Sequence, residues 1–299
     1  MNLEVIILAA GQGTRMKSPL PKVLHPVAGR PMLQHVVETA RALQAKAIHV
    51  VVGHGAEQVR AALDDPGLTW VTQEQQLGTG HAVLQAMPAV QPDSTVLILY
   101  GDVPLISAST LENLVAVAVS APALLTAKVA KPAGYGRILR DEAGALVGVV
   151  EHKDASDSQL LIDEINSGVL AAPASDLQQY LPAIKNQNSQ GEYYLPDVLA
   201  MAVADGKAVA SCMAESELEI QGVNDRVQLN QVEREFQRLQ AEQLMRAGVS
   251  LADGSRLDVR GVLHCGVDVS FDVNVVLEGA VTLGDGVSIG PNCVLRDVT

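Results

Sequence analysis

The sequence predicts an α/β protein in which a mostly parallel sheet is followed by a connector helix and a short solenoid of hexapeptide repeats. Three observations support this prediction. Apolar, strand-like runs alternate with amphipathic helical stretches through the first half of the chain. A polar-rich helical stretch then covers residues 225–247, and from residue 248 onwards apolar residues recur with a period of six. Alternating strands and helices are typical of a Rossmann-like parallel sheet with helices on both faces.

Apolar patterning places the elements of this sheet. Strands are predicted at residues 5–9, 48–52, 69–71 and 96–100, and helices at residues 32–43, 56–63, 81–87 and 111–120. The region 124–172 is more strand-like and is interpreted as an insertion that forms the far wall of a pocket. Ligands bind such sheets at the carboxyl ends of the strands.

The connector helix and the solenoid have separate signatures. Gly248 is placed to end the helix. Two apolar rows in the C-terminal segment have hexad spacing: Phe271, Leu277, Leu283, Ile289 and Leu295, and Val269, Val275, Val281, Val287 and Cys293. This period is typical of a left-handed parallel β-helix with three hexads in each coil. About two coils are present, so we expect that the chain stops within the solenoid or that oligomerisation protects the coils.

Composition limits the partners. Of the 299 residues 48% are hydrophobic and 3% aromatic, and the net charge is −13. This charge argues against nucleic acid or an anionic membrane as the main partner. Cys212, Cys265 and Cys293 lack metal-ligand spacing and are interpreted as free thiols in a reducing compartment. With no leader-like or membrane-spanning run, the sequence predicts a soluble cytoplasmic protein.

A glycine-rich loop follows the first strand and suits a phosphate chain. Gly11 and Gly13 permit backbone N–H groups to point at phosphate oxygens, and Arg15, Lys17 and Lys22 follow as cations. A dinucleotide fingerprint or a Walker A loop would need glycine where Met16 stands. The loop is therefore predicted to hold phosphates by another geometry; a plain strand-to-helix turn is the alternative.

Two more strand ends carry polar residues. The segment 73–81 reads Gln-Glu-Gln-Gln-Leu-Gly-Thr-Gly-His, and glutamine amides can read the imide edge of uracil. Helix capping by Thr79 is an equal alternative for this segment. Asp102, at the end of the fourth strand, is placed as a Mg²⁺ ligand beside a phosphate, or as an ordinary turn aspartate.

Three later residues are candidates of the same kind. Glu151 and Asn166, at the ends of apolar runs, could bind sugar hydroxyls. Asn224 could give a second oxygen to a metal or could be the N-cap of the connector helix. No Ser/His/Asp triad or zinc spacing is recognisable, and His81 and His152 are interpreted as structural.

Taken in order, these segments resemble a known family. The loop at 8–22, Leu-Ala-Ala-Gly-x-Gly-Thr-Arg-Met…Pro-Lys, is similar to that of the sugar-nucleotide pyrophosphorylases. Further motifs are Gln-Leu-Gly-Thr-Gly-His-Ala at 76–82, Tyr-Gly-Asp-Val-Pro at 100–104, Gly-Tyr-Gly-Arg-Ile at 134–138, Glu-His-Lys-Asp at 151–154 and Gly-Glu-Tyr-Tyr at 191–194. With the hexapeptide tail they resemble the bacterial bifunctional N-acetylglucosamine-1-phosphate uridylyltransferase/glucosamine-1-phosphate acetyltransferase family over essentially the whole chain.

The resemblance implies a role for each site residue. Nucleotide-binding residues would be Leu8, Ala9, Ala10, Gly11, Gln73, Gly78 and Thr79. Catalytic residues would be Arg15, Lys22 and Asp102, with Asp102 and Asn224 holding Mg²⁺. Sugar or product would contact Tyr100, Gly101, Gly136, Glu151, Asn166 and Asn224. Pro196 stands where the pattern leads us to expect Thr, which puts the cap before Asp197 in question.

The implied reaction forms UDP-N-acetylglucosamine, a cell-wall precursor, and pyrophosphate from UTP and N-acetylglucosamine 1-phosphate. The implied division is a nucleotidyltransferase domain at 1–224, the connector helix at 225–247 and the start of the β-helix at 248–299. Acetyl-CoA would be a substrate only of later coils, so we do not expect acetyl transfer from this chain, and the homotrimer implied for the family is left open. The alternatives are another sugar-1-phosphate nucleotidylyltransferase and a non-catalytic β-helix assembly subunit.

Overall fold

The computed structural model describes residues 2–299, which form two compact units. The first unit covers the chain up to Val23 and again Leu33–Gly222, and the second covers Leu24–Met32 and Val223–Thr299. The chain therefore leaves the first unit early, returns to it, and leaves it again after residue 222. Among the described residues, no helix is both long enough and apolar enough to cross a bilayer.

The regular elements are numbered in chain order. The strands are β1 (Leu3–Ala9), β2 (Pro26–Val27), β3 (Arg30–Pro31), β4 (Ala47–Val52), β5 (Leu68–Thr72), β6 (Thr95–Tyr100), β7 (Ala123–Lys128), β8 (Arg137–Arg140), β9 (Leu146–Val150), β10 (Glu164–Pro173), β11 (Ala210–Met213), β12 (Ser250–Leu251), β13 (Leu257–Cys265), β14 (Ser270–Phe271), β15 (Val275–Leu283), β16 (Ser288–Ile289) and β17 (Val294–Arg296). The helices are α1 (Met32–Ala42), α2 (Ala56–Leu63), α3 (Thr79–Ala86), α4 (Ala108–Val117), α5 (Asp157–Leu160), α6 (Ala174–Tyr180), α7 (Asp197–Ala204) and α8 (Arg226–Arg246).

The first unit is built on one sheet with the strand order β11-β7-β10-β6-β1-β4-β5. β1 pairs in parallel with β4 and β6, and β4 pairs in parallel with β5, which confirms the predicted parallel core. β10 is antiparallel to β6 and β7. The interpretation of residues 124–172 as an insertion is therefore wrong for β7 and β10, which continue the main sheet, while β8 and β9 form a hairpin beside it.

Apolar residues explain why these strands lie at the centre of the unit. All seven residues of β1 are buried. Its side chains alternate between the two faces, and Ile6 and Leu8 share a hydrophobic cluster with residues of α3, α6 and α7. Strands buried on both faces read as continuous apolar runs, which is the pattern of β1, β4 and β6. Their carboxyl ends meet at one edge, where the predicted site residues follow them.

Helix α8 of the second unit has well-defined ends. The side chain of Asp225 accepts hydrogen bonds from the N–H groups of Val227 and Gln228, and Gly248 has a φ of 96° after the last turn. The N–H of Val249 donates to the carbonyl of Leu244, which completes a Schellman ending and confirms the predicted stop.

One buried amide of α8 joins this helix to the following strands. Gln237 is 3% exposed, donates to the carbonyl of Val259 at 2.8 Å and accepts from the N–H of Val259 at 2.9 Å. Its amide thus reproduces both hydrogen bonds of a strand neighbour. The early segment of the chain also packs here: the N–H of Ala28 donates to Glu233 at 2.6 Å, and a Cβ on Gly29 would lie 2.9 Å from the carbonyl carbon of Arg260.

The last six strands form two small parallel sheets, β12-β14-β16 and β13-β15-β17. Leu257 pairs with Val275, and Ser270 pairs with Ser288, so paired residues are 18 positions apart. That separation equals three hexads and is compatible with the predicted coils. Both predicted apolar rows contribute to the hydrophobic core of this region, together with Val249 and Leu257.

Candidate active site

The carboxyl ends of β1, β5 and β6 border a cavity of about 220 Å³ in the first unit. Ten of the predicted site residues line it: Leu8, Ala9, Ala10, Gly11, Lys22, Gln73, Gly78, Thr79, Tyr100 and Asp102. They come from four separate stretches of sequence, which the parallel sheet brings to one edge. This is the position at which ligands bind in open α/β sheets.

The glycine loop turns so that Lys22 comes close to Gly13. Gly13 has a φ of 62°, which favours glycine, and a 3₁₀ turn, Thr14–Met16, follows it. A Cβ at position 13 would lie 2.6 Å from the Cβ of Lys22. The side chain of Met16 is 1% exposed and is buried in the unit. Glycine at position 13 is therefore needed to bring the Lys22 backbone against the loop.

Lys22 and Asp102 form an ion pair just beyond the carboxyl end of β6. The Lys22 ammonium contacts Oδ2 of Asp102, and both side chains are 14% exposed. Asp102 is thus placed where a positive charge is held against it. Its carboxylate is also the kind of hard oxygen ligand that Mg²⁺ prefers, so the residue fits the predicted metal.

Gln73 is the most deeply buried polar side chain of the cavity wall, at 3% exposure. Its backbone N–H continues the parallel ladder by donating to the carbonyl of Val52. Its side-chain Nε2 donates to the carbonyl of Gly78 at 3.2 Å and contacts Nδ1 of His81 at 2.9 Å. The amide is therefore held in one orientation before any ligand binds.

Thr79 does not cap its own helix. The N-cap of α3 is Gly78, and no side-chain hydrogen bond caps this helix. The alternative that Thr79 caps the helix is therefore wrong. The Thr79 hydroxyl instead accepts from the N–H of Leu195 at 3.1 Å. Pro196 follows as the N-cap of α7 with helical dihedrals and no side-chain cap, a position where a missing N–H costs nothing. Thr79 thus binds the chain directly before α7. This contact stabilises the start of that helix, where Pro196 provides no side-chain cap.

The predicted sugar-binding residues form a group beside Tyr100. The N–H of Asn166 donates to the carbonyl of Gly136, and a Cβ on Gly136 would lie 3.1 Å from Oε1 of Glu151. Gly168 has a φ of 87° and packs so closely on the Tyr100 ring that a Cβ there would lie 2.6 Å from it. The structure therefore brings Gly136, Glu151 and Asn166 together.

The electrostatics of this group favour uncharged ligand groups. Burial raises the pKa of Glu151, and the carboxylates of Asp154 and Asp197 raise it further. Burial also raises the pKa of Tyr100, and the nearby charge of Glu151 acts in the same direction. Hydroxyl and amide groups of a sugar suit such a surface better than a further anion does.

Six predicted site residues lie outside the cavity lining: Gly136, Glu151 and Asn166, described above, and Gly101, Arg15 and Asn224. Gly101 is buried between the lining residues Tyr100 and Asp102. Arg15 is exposed on the 3₁₀ turn of the glycine loop. Asn224 belongs to the second unit, where its backbone N–H donates to Oε1 of Gln228 at 2.7 Å. Asp225 caps α8, so the N-cap interpretation of Asn224 is wrong.

The cavity also has walls for which the sequence suggested no role: Val23, Gln76, Ala82 and Glu192. Glu192 comes from the Gly-Glu-Tyr-Tyr motif, which was part of the resemblance without a role being assigned to it. Gln76 lies in the segment considered for base recognition. Val23 and Ala82 carry no chemical signal, because apolar walls look like core residues in a sequence.

Residues 5–162 match the family described as the MobA-like NTP transferase domain. The chain belongs to this family. It is 57% identical over 298 residues to the bifunctional protein GlmU of Marinobacter nauticus, covering 99% of this chain and 66% of that protein. It is 56% identical over 300 residues to the bifunctional protein GlmU of Pseudomonas entomophila, covering 100% of this chain and 66% of that protein.

A solved structure supports the fold of the family. A nucleotidyl transferase from Methanothermobacter superposes with a TM-score of 0.56 at 23% identity, covering 79% of this chain and 98% of that one. At this identity the likeness shows the fold alone. The chain spans about 66% of the length of the GlmU relatives named above.

Proposed function

We propose that this chain transfers a uridylyl group from UTP to N-acetylglucosamine 1-phosphate, forming UDP-N-acetylglucosamine and pyrophosphate. The observation that carries the proposal is the cavity at the sheet edge. It combines a glycine loop, the Lys22–Asp102 ion pair and a fixed glutamine amide. Similarity to GlmU proteins along the chain supports the same substrates.

Binding would divide the substrates between two parts of the site. The base would lie between Ala82 and Gln73, with the Gln73 amide and the backbone of Gly78 facing its edge. The triphosphate would follow the glycine loop towards Lys22, and Arg15 would reach it from the exposed turn. The N-acetylglucosamine ring would occupy the group formed by Gly136, Glu151 and Asn166, next to Tyr100 and Gly101.

The chemical step would be an in-line displacement at the α-phosphorus. An anionic phosphate oxygen of the sugar phosphate forms the new P–O bond, and the bond to pyrophosphate breaks with its electron pair leaving on the pyrophosphate. No general base is needed, because the nucleophile is already an anion. Catalysis would consist of positioning and charge neutralisation by Lys22, Arg15 and the loop N–H groups.

Mg²⁺ is the implied metal. Asp102 would hold it with a carboxylate oxygen. A bound Mg²⁺ supplies charge neutralisation on the reacting phosphates, and it takes most of its other ligands from phosphate and water. Within residues 2–299, no group of three or more His, Cys, Asp or Glu side chains could hold a metal by itself.

We also propose that residues from 248 onwards are the first coils of a left-handed β-helix. The 18-residue pairing of the two small sheets and the buried apolar rows support this. Acetyl transfer is not proposed for this chain. A homotrimer remains an expectation that a sizing measurement would test.

The activity is tested by pyrophosphate release with matched substrates. With UTP and Mg²⁺, we expect N-acetylglucosamine 1-phosphate to be used at least tenfold better in kcat/KM than glucose 1-phosphate, since contacts to the acetamido group would be lost, a loss typically worth about 1–3 kcal/mol. Equal rates with the two sugars would overturn the sugar assignment. Faster turnover with CTP than with UTP would favour another sugar-1-phosphate nucleotidylyltransferase.

A further inference from the structure

We propose that His81 is a positioning residue that sets nucleotide choice by fixing the orientation of the Gln73 amide. This inference rests on the proposed function and deepens it, because it explains how a uridine nucleotide is distinguished from a cytidine nucleotide. His81 lies in the first turn of α3 and is outside the cavity lining, whereas Gln73 is in it. The histidine would therefore act through the glutamine and not on the substrate.

The orientation of the amide follows from the carbonyl of Gly78. A backbone carbonyl can only accept a hydrogen bond, so the group 3.2 Å from it must be the NH₂ of Gln73 and not its carbonyl oxygen. The same nitrogen lies 2.9 Å from Nδ1 of His81. Nδ1 must then accept, which leaves the proton of the neutral imidazole on Nε2.

That tautomer requires an acceptor beside Nε2. Nε2 lies 3.3 Å from the side-chain amide nitrogen of Gln85, one turn further along α3, so the Gln85 amide has to turn by 180° and present its oxygen. An amide presents either a donor or an acceptor by rotating its plane, so Gln85 can accept from Nε2–H. The ring of Tyr193 lies 6.4 Å away, centroid to centroid. The imidazole is thus contacted by Gln73, by Gln85 of α3 and by the Tyr193 ring.

The consequence for the ligand lies at the other end of the Gln73 amide. Both hydrogen atoms of its NH₂ group are used, by Gly78 and His81, so its carbonyl oxygen is the group left for the cavity. N3 of uracil carries a hydrogen and donates to such an oxygen. N3 of cytosine is an acceptor and would face it lone pair to lone pair. A buried acceptor left without a donor disfavours the wrong base.

The experiment measures UTP and CTP binding by calorimetry in the presence of Mg²⁺, with no sugar phosphate, so that no turnover is required. The test variant is His81→Phe, which keeps a planar ring and removes the acceptor. We expect the ratio of CTP to UTP dissociation constants to fall about tenfold, because the amide is held by one partner in place of two. His81→Asn keeps an acceptor near the position of Nδ1 and should restore most of the ratio.

Gln85→Leu is the matched control. It removes the contact to Nε2 on the same helix and should change the ratio by less than about twofold, because the Nδ1–Gln73 contact is kept. An unchanged ratio in His81→Phe would overturn the inference while leaving the proposed function intact. An equal fall in His81→Phe and His81→Asn, in step with a lower melting temperature, would also overturn it by showing a structural role alone.

A second measurement needs no variant. Imidazole ¹⁵N chemical shifts of the unmodified protein report which ring nitrogen carries the proton. We expect His81 to be the Nε2–H tautomer, and a proton on Nδ1 would overturn the inference. If the unmodified protein itself binds UTP and CTP equally, the proposed uridylyl specificity fails, and the failure is then visible before any variant is compared.

Discussion

The two ends of the central sheet each bury a polar side chain against a histidine, and they use it differently. At the amino end, the carboxylate of Glu4 on β1 accepts hydrogen bonds from Nε2 of His49 at 2.8 Å, from the hydroxyl of Ser94 at 2.6 Å and from the N–H of Gln91 at 3.0 Å. At the carboxyl end, Gln73 is held by His81 and Gly78 through one atom only.

The difference lies in the remaining hydrogen-bonding capacity. Both oxygens of Glu4 are engaged by protein donors, so the group has little left to offer a ligand. Nδ1 of His49 is buried with no hydrogen-bond partner in the described structure. Gln73, by contrast, keeps an acceptor at the cavity. Burial of a polar side chain therefore does not mark a binding site by itself. A binding site is indicated when such a side chain keeps an unused hydrogen-bond donor or acceptor that faces a cavity.

The largest difference between the two ends should appear in catalysis. Substituting Lys22→Met or Asp102→Asn should lower kcat/KM by about 10²–10³, because charge neutralisation at the reacting phosphates is lost. The melting temperature should change little in Lys22→Met. Initial rates of pyrophosphate release check the first expectation, and thermal unfolding checks the second.

The glycine loop offers a matched control for this experiment. Lys17 carries the same charge as Lys22 on the same loop but is exposed and absent from the cavity lining. Lys17→Met should keep activity within about threefold, since exposed charges interact weakly. Comparable losses in Lys17→Met and Lys22→Met would mean that only the overall charge of the loop matters.

The opposite outcome is expected at the amino end. Glu4→Gln places an NH₂ group against the N–H of Gln91, the hydroxyl of Ser94 or His49, so one buried donor loses its acceptor. The free energy of unfolding should fall by about 2–3 kcal/mol. The kcat of the folded fraction should remain unchanged. Urea unfolding and steady-state rates measure the two quantities.

The stability of Glu4→Gln should depend on pH differently from that of the unmodified protein. Burial raises the pKa of Glu4, but hydrogen bonds from Ser94, His49 and Gln91 outweigh it, and the pKa is lowered overall. A carboxyl with a lowered folded-state pKa stabilises the protein above its unfolded value, near 4.5, and this contribution is lost as the pH falls through the folded-state pKa. Glu4→Gln should lack that part of the acid destabilisation; parallel curves for the two proteins would contradict the assignment.

The smallest effect is expected at Pro196, a carboxyl-end residue whose role is structural. Pro196→Ala should lower the free energy of unfolding by no more than about 1 kcal/mol, through greater freedom of the unfolded chain. Activity should be retained, because Thr79 still accepts from the N–H of Leu195. Chemical denaturation and pyrophosphate release measure both. A large loss of activity would show that the position of α7 depends on the proline ring.

Sequence patterning predicted the parts of the molecule that depend on local repetition. The parallel strands β1, β4, β5 and β6 follow from continuous apolar runs, and the buried rows near the C-terminus follow from hexad spacing. α6, α7 and β11 were not predicted, because short elements are stabilised by tertiary contacts more than by their own pattern.

The site divides in the same way. Ten residues of the cavity lining were found from motifs and from the family resemblance, since glycine loops and strand-end polar residues have recognisable spacing. The links between them were not found: neither the Thr79 contact to Leu195 nor the Gln73 contact to His81 has a sequence signature. The first joins residues far apart in the chain, and the second depends on a side-chain orientation that spacing does not specify.

The division of the chain into two units also sets an order of events during synthesis. Leu24–Met32 emerges early from the ribosome, yet it belongs with Val223–Thr299. At about 5–20 residues per second, roughly 10–40 s pass between the end of the early segment and the emergence of its partners. During that interval its apolar side chains lack their final packing partners, and Gly29 lacks its close contact with the backbone of Arg260. Docking of this nine-residue stretch onto the rest of the second unit therefore has to follow the synthesis of most of the first unit.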